Sequence, residues 1–316
     1  MTITQDASSP LVVVVGGTGV QGGSVVKALA ESDRPYRVRV FSRDATKPAA
    51  HSLVQLGVEV VELALTLENK DAVYKAFAGA EFAFLMTNWW VHFDTERDIA
   101  EGKLLVDAAK AGGASRVVWS GLPAISRLSG GKYPHVWHFD SKAAVTEYGR
   151  QAGVPFLDLQ AGNYGTNFLG PPFAPTKQAD GSYVIALPVK PTMQLPIIDA
   201  AEDYGLFVRH ALELPVFPDG AEIVAYSENV TITDVALHLS QRTGKNVVFK
   251  QISADQFHAD LAALGFPPPI VLDLAEVFLS LDELGWKVDA VSEGLARRPR
   301  TWAEIVEVTD WSKVVS

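Results

Sequence analysis

Leu11-Val12-Val13-Val14-Val15-Gly16-Gly17-Thr18-Gly19-Val20-Gln21-Gly22-Gly23-Ser24 is the stretch that decides the fold. The apolar run is short, β-branched and without a polar side, as expected of a strand buried on both faces of a parallel sheet. Glycines recur at Gly16, Gly19 and Gly22, and a helix follows with Val25, Val26 and Leu29 on one face. Strand, G-x-x-G-x-x-G turn and helix in that order form a phosphate cradle. The first glycine permits a tight turn, the second lets backbone approach a pyrophosphate, and the third lets helix pack on strand. The phosphates would rest on free N–H groups at the positive end of the helix dipole. Gly16, Gly17, Thr18, Gly19, Val20, Gln21 and Gly22 are therefore candidate cofactor contacts, the alternative being an ordinary glycine-rich βα turn.

Outward from the turn, apolar runs alternate with amphipathic stretches. Further strands are expected at 38–41, 58–62, 82–86, 117–119 and 155–159, with helices at about 95–112 and 139–151. Six strands joined by crossover helices predict an α/β, Rossmann-type doubly wound parallel sheet. After Gln160 glycine, asparagine and proline accumulate. A strand at 183–187 and helices near 233–243, 254–264 and 275–281 suggest a smaller α-rich C-terminal lobe covering the mouth of the first. The expected division is a flexible tail at 1–10, a Rossmann domain at 11–160 and a lobe at 161–316, partly interwoven with it.

Composition narrows the function. The chain has 316 residues, 48% hydrophobic and 20% charged, which is globular rather than disordered. No cysteine is present, so thiolate chemistry is excluded. A formal charge of −10 disfavours direct nucleic-acid binding, which needs a basic field. No apolar run approaches the ~20 residues of a membrane span, and the polar start does not read as a secretion signal, so the cytoplasm is the expected address. His51, His92, His135, His210, His238 and His258 show no paired ligand spacing, so no metal is expected. No G-x-S-x-G elbow occurs.

The second strand should end at Ser42-Arg43. An NAD-specific site usually has a carboxylate there; Ser42 cannot repel a 2′-phosphate, and Arg43 can pair with one. Lys47 can add a second positive charge, which favours NADP(H). A solvated loop arginine is the plainer reading. The fourth strand should end at Thr87-Asn88-Trp89-Trp90, where Thr87 and Asn88 suit ribose or pyrophosphate. Trp89 and Trp90 either wall the nicotinamide or bury their area between the lobes. Ser120, after the fifth strand, places a hydroxyl at the expected reaction site, or caps a helix. His138 and Lys142 lie four apart and share a helical face. A short-chain dehydrogenase needs a proton donor and a lysine at that spacing. Here histidine stands where tyrosine is usual, either as an acid or as a capping or core histidine.

These residues resemble a family. The Gly16 to Ser24 turn, Thr87-Asn88-Trp89-Trp90, Gly102-Lys103-Leu104-Leu105, Ser120-Gly121-Leu122 and His138-Phe139-Asp140-x-Lys142 look like the NmrA-like proteins, a group of atypical short-chain dehydrogenases. The likeness continues through Glu147-Tyr148 and Gly153-Val154-Pro155, and is nearest to the NADP(H) redox-sensor branch, which lacks the dehydrogenase tyrosine. It implies a Rossmann domain, NADP preference through Arg43, and cofactor contacts from the Gly16 turn, Thr87, Asn88, Trp89 and Lys142. By the same likeness, Ala161, Gly162, Asn163 and Tyr164 join them. The chain departs from the family pattern at Leu63-Ala64-Leu65-Thr66, where an acidic residue is common, and at Ala100, where redox sensors can carry a base.

Two functions follow. One is an NADPH-dependent reductase of a small, perhaps aromatic, carbonyl or ene substrate, with Lys142, His138 and Ser120 as catalytic candidates. Trp89, Trp90, Phe168, Phe173 and Tyr164 would line its pocket. The other is a non-catalytic sensor of NADPH/NADP balance that regulates a protein partner, with the segment from Gly162 to Pro175 as the mover. A dimer with a vestigial cofactor site is a third, weaker reading.

Overall fold

The valine run forms β1 (Leu11–Val14), and its side chains alternate between two buried layers. Val12 and Val14 pack with Val25, Val26 and Leu29 of α1 (Val20–Ala30), while Val13 and Val15 enter the opposite layer. With both faces covered by helices, every position of the strand must be apolar. The structure, a computed structural model, describes residues 3–285 and 293–316.

From β1 the chain continues through β2 (Arg37–Ser42), α2 (Pro48–Gln55), β3 (Glu59–Glu62), α3 (Lys70–Ala76) and β4 (Phe82–Leu85). Then come α4 (Thr95–Gly112), β5 (Arg116–Trp119), α5 (Ile125–Leu128), α6 (Trp137–Gln151) and β6 (Phe156–Ala161). Helix α4 falls where its sequence places it. The Asp94 side chain accepts the Arg97 N–H at its start, and Gly113, at φ 100°, ends it.

The remaining chain supplies β7 (Asn163–Tyr164), β8 (Thr176–Lys177), β9 (Tyr183–Leu187), β10 (Gln194–Ile198), α7 (Tyr204–Glu213), β11 (Glu222–Ala225) and β12 (Glu228–Thr231). It ends with α8 (Ile232–Thr243), β13 (Val247–Gln251), α9 (Ala254–Ala263), α10 (Pro268–Leu284) and α11 (Trp302–Val308). The main sheet has seven strands in the order β11-β6-β5-β4-β1-β2-β3, all parallel. Helices α1 and α7 cover one face, and α3, α4 and α6 cover the other. The strand order reverses between β1 and β4, so a crevice opens beyond their carboxyl ends.

Three expectations need correction. The sheet has a seventh strand: β11 pairs with β6, and α7 returns to pack on α1, so the sheet does not end at residue 160. The second half is less helical than expected. It holds two further three-stranded sheets, β12-β10-β7 and β13-β9-β8, and Pro196 within β10 had disguised that strand. Residues 3–10 are not a loose tail. Ile3 bridges to Tyr36, the Thr4 N–H donates to the Tyr36 carbonyl at 2.9 Å, and the Arg37 N–H donates to the Pro10 carbonyl at 2.9 Å. The backbone leading into β2 offers polar groups that this segment satisfies.

Trp89, Val136 and Phe139 belong to the core that α8, α10 and α11 build, which seats the second lobe over the crevice. Among the described residues no helix is long and apolar enough to cross a membrane.

Candidate functional site

Gly16 adopts φ +73°, the left-handed region in which glycine carries no penalty. A Cβ on Gly22 would lie 2.3 Å from the Gly16 carbonyl oxygen, and one on Gly17 would lie 2.5 Å from Val40 Cγ1. The glycines thus bring the start of α1 against its own turn and against β2. Gly19 is the N-cap and offers no side-chain oxygen, so the first-turn N–H groups have no side-chain cap among the described residues. No acidic residue sits in that turn to oppose an anion. Gly19, Val20 and Gln21 line a cavity of about 670 Å³. Gly16, Gly17, Thr18 and Gly22 shape the turn outside its lining. An uncapped helix start with no room for Cβ atoms fits a dinucleotide diphosphate.

The second cluster stands apart from the cavity. Ser42 is buried, and its hydroxyl is used locally: it donates to the Asp44 carbonyl at 2.7 Å and accepts the Asp44 N–H at 3.2 Å. Its part is to shape the turn rather than to offer a hydroxyl. Arg43 and Lys47 are exposed beside it, and Arg43 has no hydrogen bond or ion pair among the described residues. Lys47 is extended and immediately precedes α2. Asp44, next in the chain, is occupied by the Thr46 hydroxyl and N–H, which hold it below the usual carboxylate range.

At the end of β4, Lys142 of α6 reaches the cavity. Its Nζ donates to the Thr87 carbonyl at 2.8 Å and to the Thr87 hydroxyl at 3.3 Å, and it sits 5.2 Å from the Trp119 ring centre. Burial pushes the ammonium below the ordinary lysine range, with Asp98 and Asp158 pulling the other way. Ser120 does not cap a helix. It is buried and accepts a hydrogen bond from Gln21 Nε2 at 3.0 Å, tying the end of β5 to the cradle.

The two tryptophans part company. Trp89 is buried and donates through Nε1 to the Thr95 hydroxyl at 3.3 Å, whereas Trp90 remains 41% exposed at the mouth. The Trp90 ring lies 4.9 Å from the His138 ring. Ala161, Gly162, Asn163 and Tyr164 form the facing wall with Asn167, whose side-chain amide donates to Asn163 Oδ1 at 3.1 Å. Burial raises the Tyr164 phenol well above its usual range. Phe173 lines the cavity as expected, but Phe168 does not. Phe168 is fully buried behind the wall, between Phe173 and Trp302.

Sequence reasoning missed two buried carboxylates and most of one wall. Asp158 of β6 lies beneath Gly121, where a Cβ would be 2.0 Å from its Oδ1. Burial pushes its carboxyl up to about 7, against hydrogen bonds from Gln160 and Thr146. Asp273 of α10 is fully buried beside His138. The signal for it was a lone aspartate among the apolar residues Ile270, Val271, Leu272 and Leu274. Helix α10 also contributes Leu274, Val277, Phe278 and Leu281 to the cavity.

A parallel sheet reversing beside a glycine-bounded, uncapped helix start, with a buried lysine across the crevice, defines a Rossmann-type α/β protein of the atypical short-chain dehydrogenase class. The chain belongs to the NmrA-like family, whose profile matches residues 8–306. An NmrA-like family domain-containing oxidoreductase of Malbranchea aurantiaca is 29% identical over 71% of this chain and 72% of its own length. Among solved structures, NmrA, a negative transcriptional regulator in complex with NADP, superposes with a TM-score of 0.74 at 23% identity, covering 95% of each chain. The NADPH-dependent quinone oxidoreductase QOR2 of Escherichia coli, complexed with NADPH, gives a TM-score of 0.75 at 20% identity, covering 94% of this chain and 98% of its own. Family relatives thus include oxidoreductases and a regulator.

Proposed function

We propose that this protein is an NADPH-dependent reductase of a small aromatic carbonyl or ene substrate. The observation that carries the reading is the cavity of about 670 Å³, which stays open between the cradle and α10 with Lys142 and His138 in its wall. Ligand sites are typically apolar enclosures of this size with a few convergent polar groups.

The reduced dinucleotide, when bound, supplies a hydride. The first-turn amides of α1 would hold its diphosphate, and Arg43, which has no hydrogen bond or ion pair among the described residues, would take the 2′-phosphate with Lys47 adding charge. Lys142, held by Thr87 in the cavity wall, would donate to the nicotinamide ribose and so orient the ring. Gln21 holds the Ser120 hydroxyl at the cavity edge. Trp89 and the apolar face of α10 keep water from the reacting carbon.

NADPH oxidation screened against aromatic aldehydes, ketones and quinones tests the proposal. Turnover that disappears in Lys142→Ala supports it. Tight NADPH binding with a blank screen transfers the case to a redox sensor acting on a protein partner. One feature favours that second reading: residues 162–175 contribute Asn163, Tyr164, Pro171 and Phe173 to the cavity wall, so occupancy would be felt along the whole segment.

A further inference from the structure

Asp273 is 0% exposed on the apolar face of α10 and meets the first turn of α6. Its Oδ2 accepts the His138 backbone N–H at 3.1 Å, and its Oδ1 is in ion-pair contact with His138 Nδ1. The contact falls outside hydrogen-bond geometry, so neither Oδ1 nor Nδ1 has a hydrogen-bond partner among the described residues. A carboxylate this deeply buried is costly unless it is paired, and the imidazole is the pairing group within reach. Nδ1 is turned to Asp273, so Nε2 is the ring nitrogen free of that carboxylate, and His138 lines the cavity. The cavity is also lined by Phe173, Phe266, Leu274, Val277, Phe278 and Leu281, and among the described residues that line it Lys142 alone is a lysine, arginine or carboxylate.

Building on the reductase reading, we propose that the cavity takes an uncharged, planar aromatic carbonyl whose oxygen meets His138 Nε2. Asp273 is the positioning residue that keeps His138 ready to protonate that oxygen. The hydride's electron pair forms the new C–H bond at the carbonyl carbon, and the C=O π pair moves to oxygen. That oxygen takes the proton from Nε2, leaving an imidazole with Nδ1–H on Asp273, which recovers a proton from solvent. Because Asp273 lies on α10, the acid is complete only with the second lobe seated.

The test has two parts. In the cofactor-free chain labelled with ¹⁵N-histidine, His138 should show a far-downfield Nδ1–H proton. Asp273→Asn should abolish it, because the amide keeps an oxygen for the backbone N–H but presents NH₂ to Nδ1 and forces the other tautomer. With NADPH and 1,4-naphthoquinone, Asp273→Asn should lower kcat by ~100-fold with KM within about threefold. The double variant with His138→Gln should be no slower than His138→Gln alone.

A wild-type Nδ1 without a proton overturns the proposal, and that measurement needs no variant to fold. Full kcat in Asp273→Asn, or losses that multiply in the double variant, overturn it as well. A wild-type protein that shows the resonance yet reduces no carbonyl sinks the reductase reading and the acid role together. Asp273 is then a structural tie, and the resonance tells the two failures apart.

Discussion

The Nζ of Lys142 lies 2.8 Å from the carbonyl oxygen of Thr87, which joins the middle of α6 to the carboxyl end of β4 across 55 residues of chain. The contact holds a cation in a dry wall facing the cradle. Both hydrogen bonds that Lys142 donates run to Thr87, so a ligand ribose competes with a single residue for the ammonium.

Lys142→Ala should therefore lower NADPH-dependent turnover by ~100-fold or more while leaving the far-ultraviolet circular dichroism unchanged. A variant with at least a third of wild-type kcat/KM would remove the lysine from the reaction.

The third glycine of the turn is held by geometry rather than by helix preference. Alanine is the better helix former, yet at Gly22 its Cβ would be 2.3 Å from the Gly16 carbonyl oxygen. Gly22→Ala should destabilise the chain by ~1–3 kcal/mol and weaken NADPH binding, measured by urea unfolding and calorimetry. Gly170 is the control, because nothing lies within 4 Å of its would-be Cβ. Gly170→Ala should stay within ~0.5 kcal/mol of wild type. Equal effects at the two sites would contradict the close approach of α1 to its turn.

Arg43 is exposed and has no hydrogen bond or ion pair among the described residues, so removing it should not touch the fold. Loss of a charge-assisted contact to the 2′-phosphate should weaken NADPH by roughly 10–100-fold in Arg43→Ala. NADH, which lacks that phosphate, should bind as before. Fluorescence titration of both dinucleotides checks this, and parallel losses would place the guanidinium elsewhere than at the ribose.

What the sequence disclosed and what it hid divide along a physical line. The valines of β1, the turn glycines and the His138–Lys142 spacing are local patterns, and local patterns survive in a string of letters. Helix α4 was legible at both ends because its cap residues, Asp94 and Gly113, adjoin it. Contacts formed across long stretches of chain were not. Strand β11 joins β6 only after α7 has crossed the sheet, and nothing within Glu222–Ala225 announces its partner. Ser42 ends β2 as its sequence suggests, but its use by Asp44 depends on the turn's shape. Asp273 sits 135 residues from His138 and looked like a stray charge on an apolar helix. Asp158 was hidden for a similar reason, being with Gln160 one of two polar residues in an otherwise apolar strand.

That buried Asp158 gives the chain a pH dependence of definite sign. Burial pushes its carboxyl up to about 7 from the ordinary aspartate value near 3.8, so the folded state holds a proton that the unfolded state releases. The contribution is intact below pH ~4 and is lost as pH rises through about 7, amounting to roughly 4 kcal/mol for a shift of this size. Asparagine at this position keeps an oxygen for the Thr146 and Gln160 donors and cannot ionise. Asp158→Asn should thus match wild type within ~1 kcal/mol at pH 4.5 and exceed it by several kcal/mol at pH 8, read by urea unfolding. The other titrating groups are common to both chains and cancel in the difference. A difference that stays constant from pH 4.5 to 8 would mean that Asp158 is already ionised in the native protein. In that case an unrecognised cation or water beneath Gly121 must solvate it.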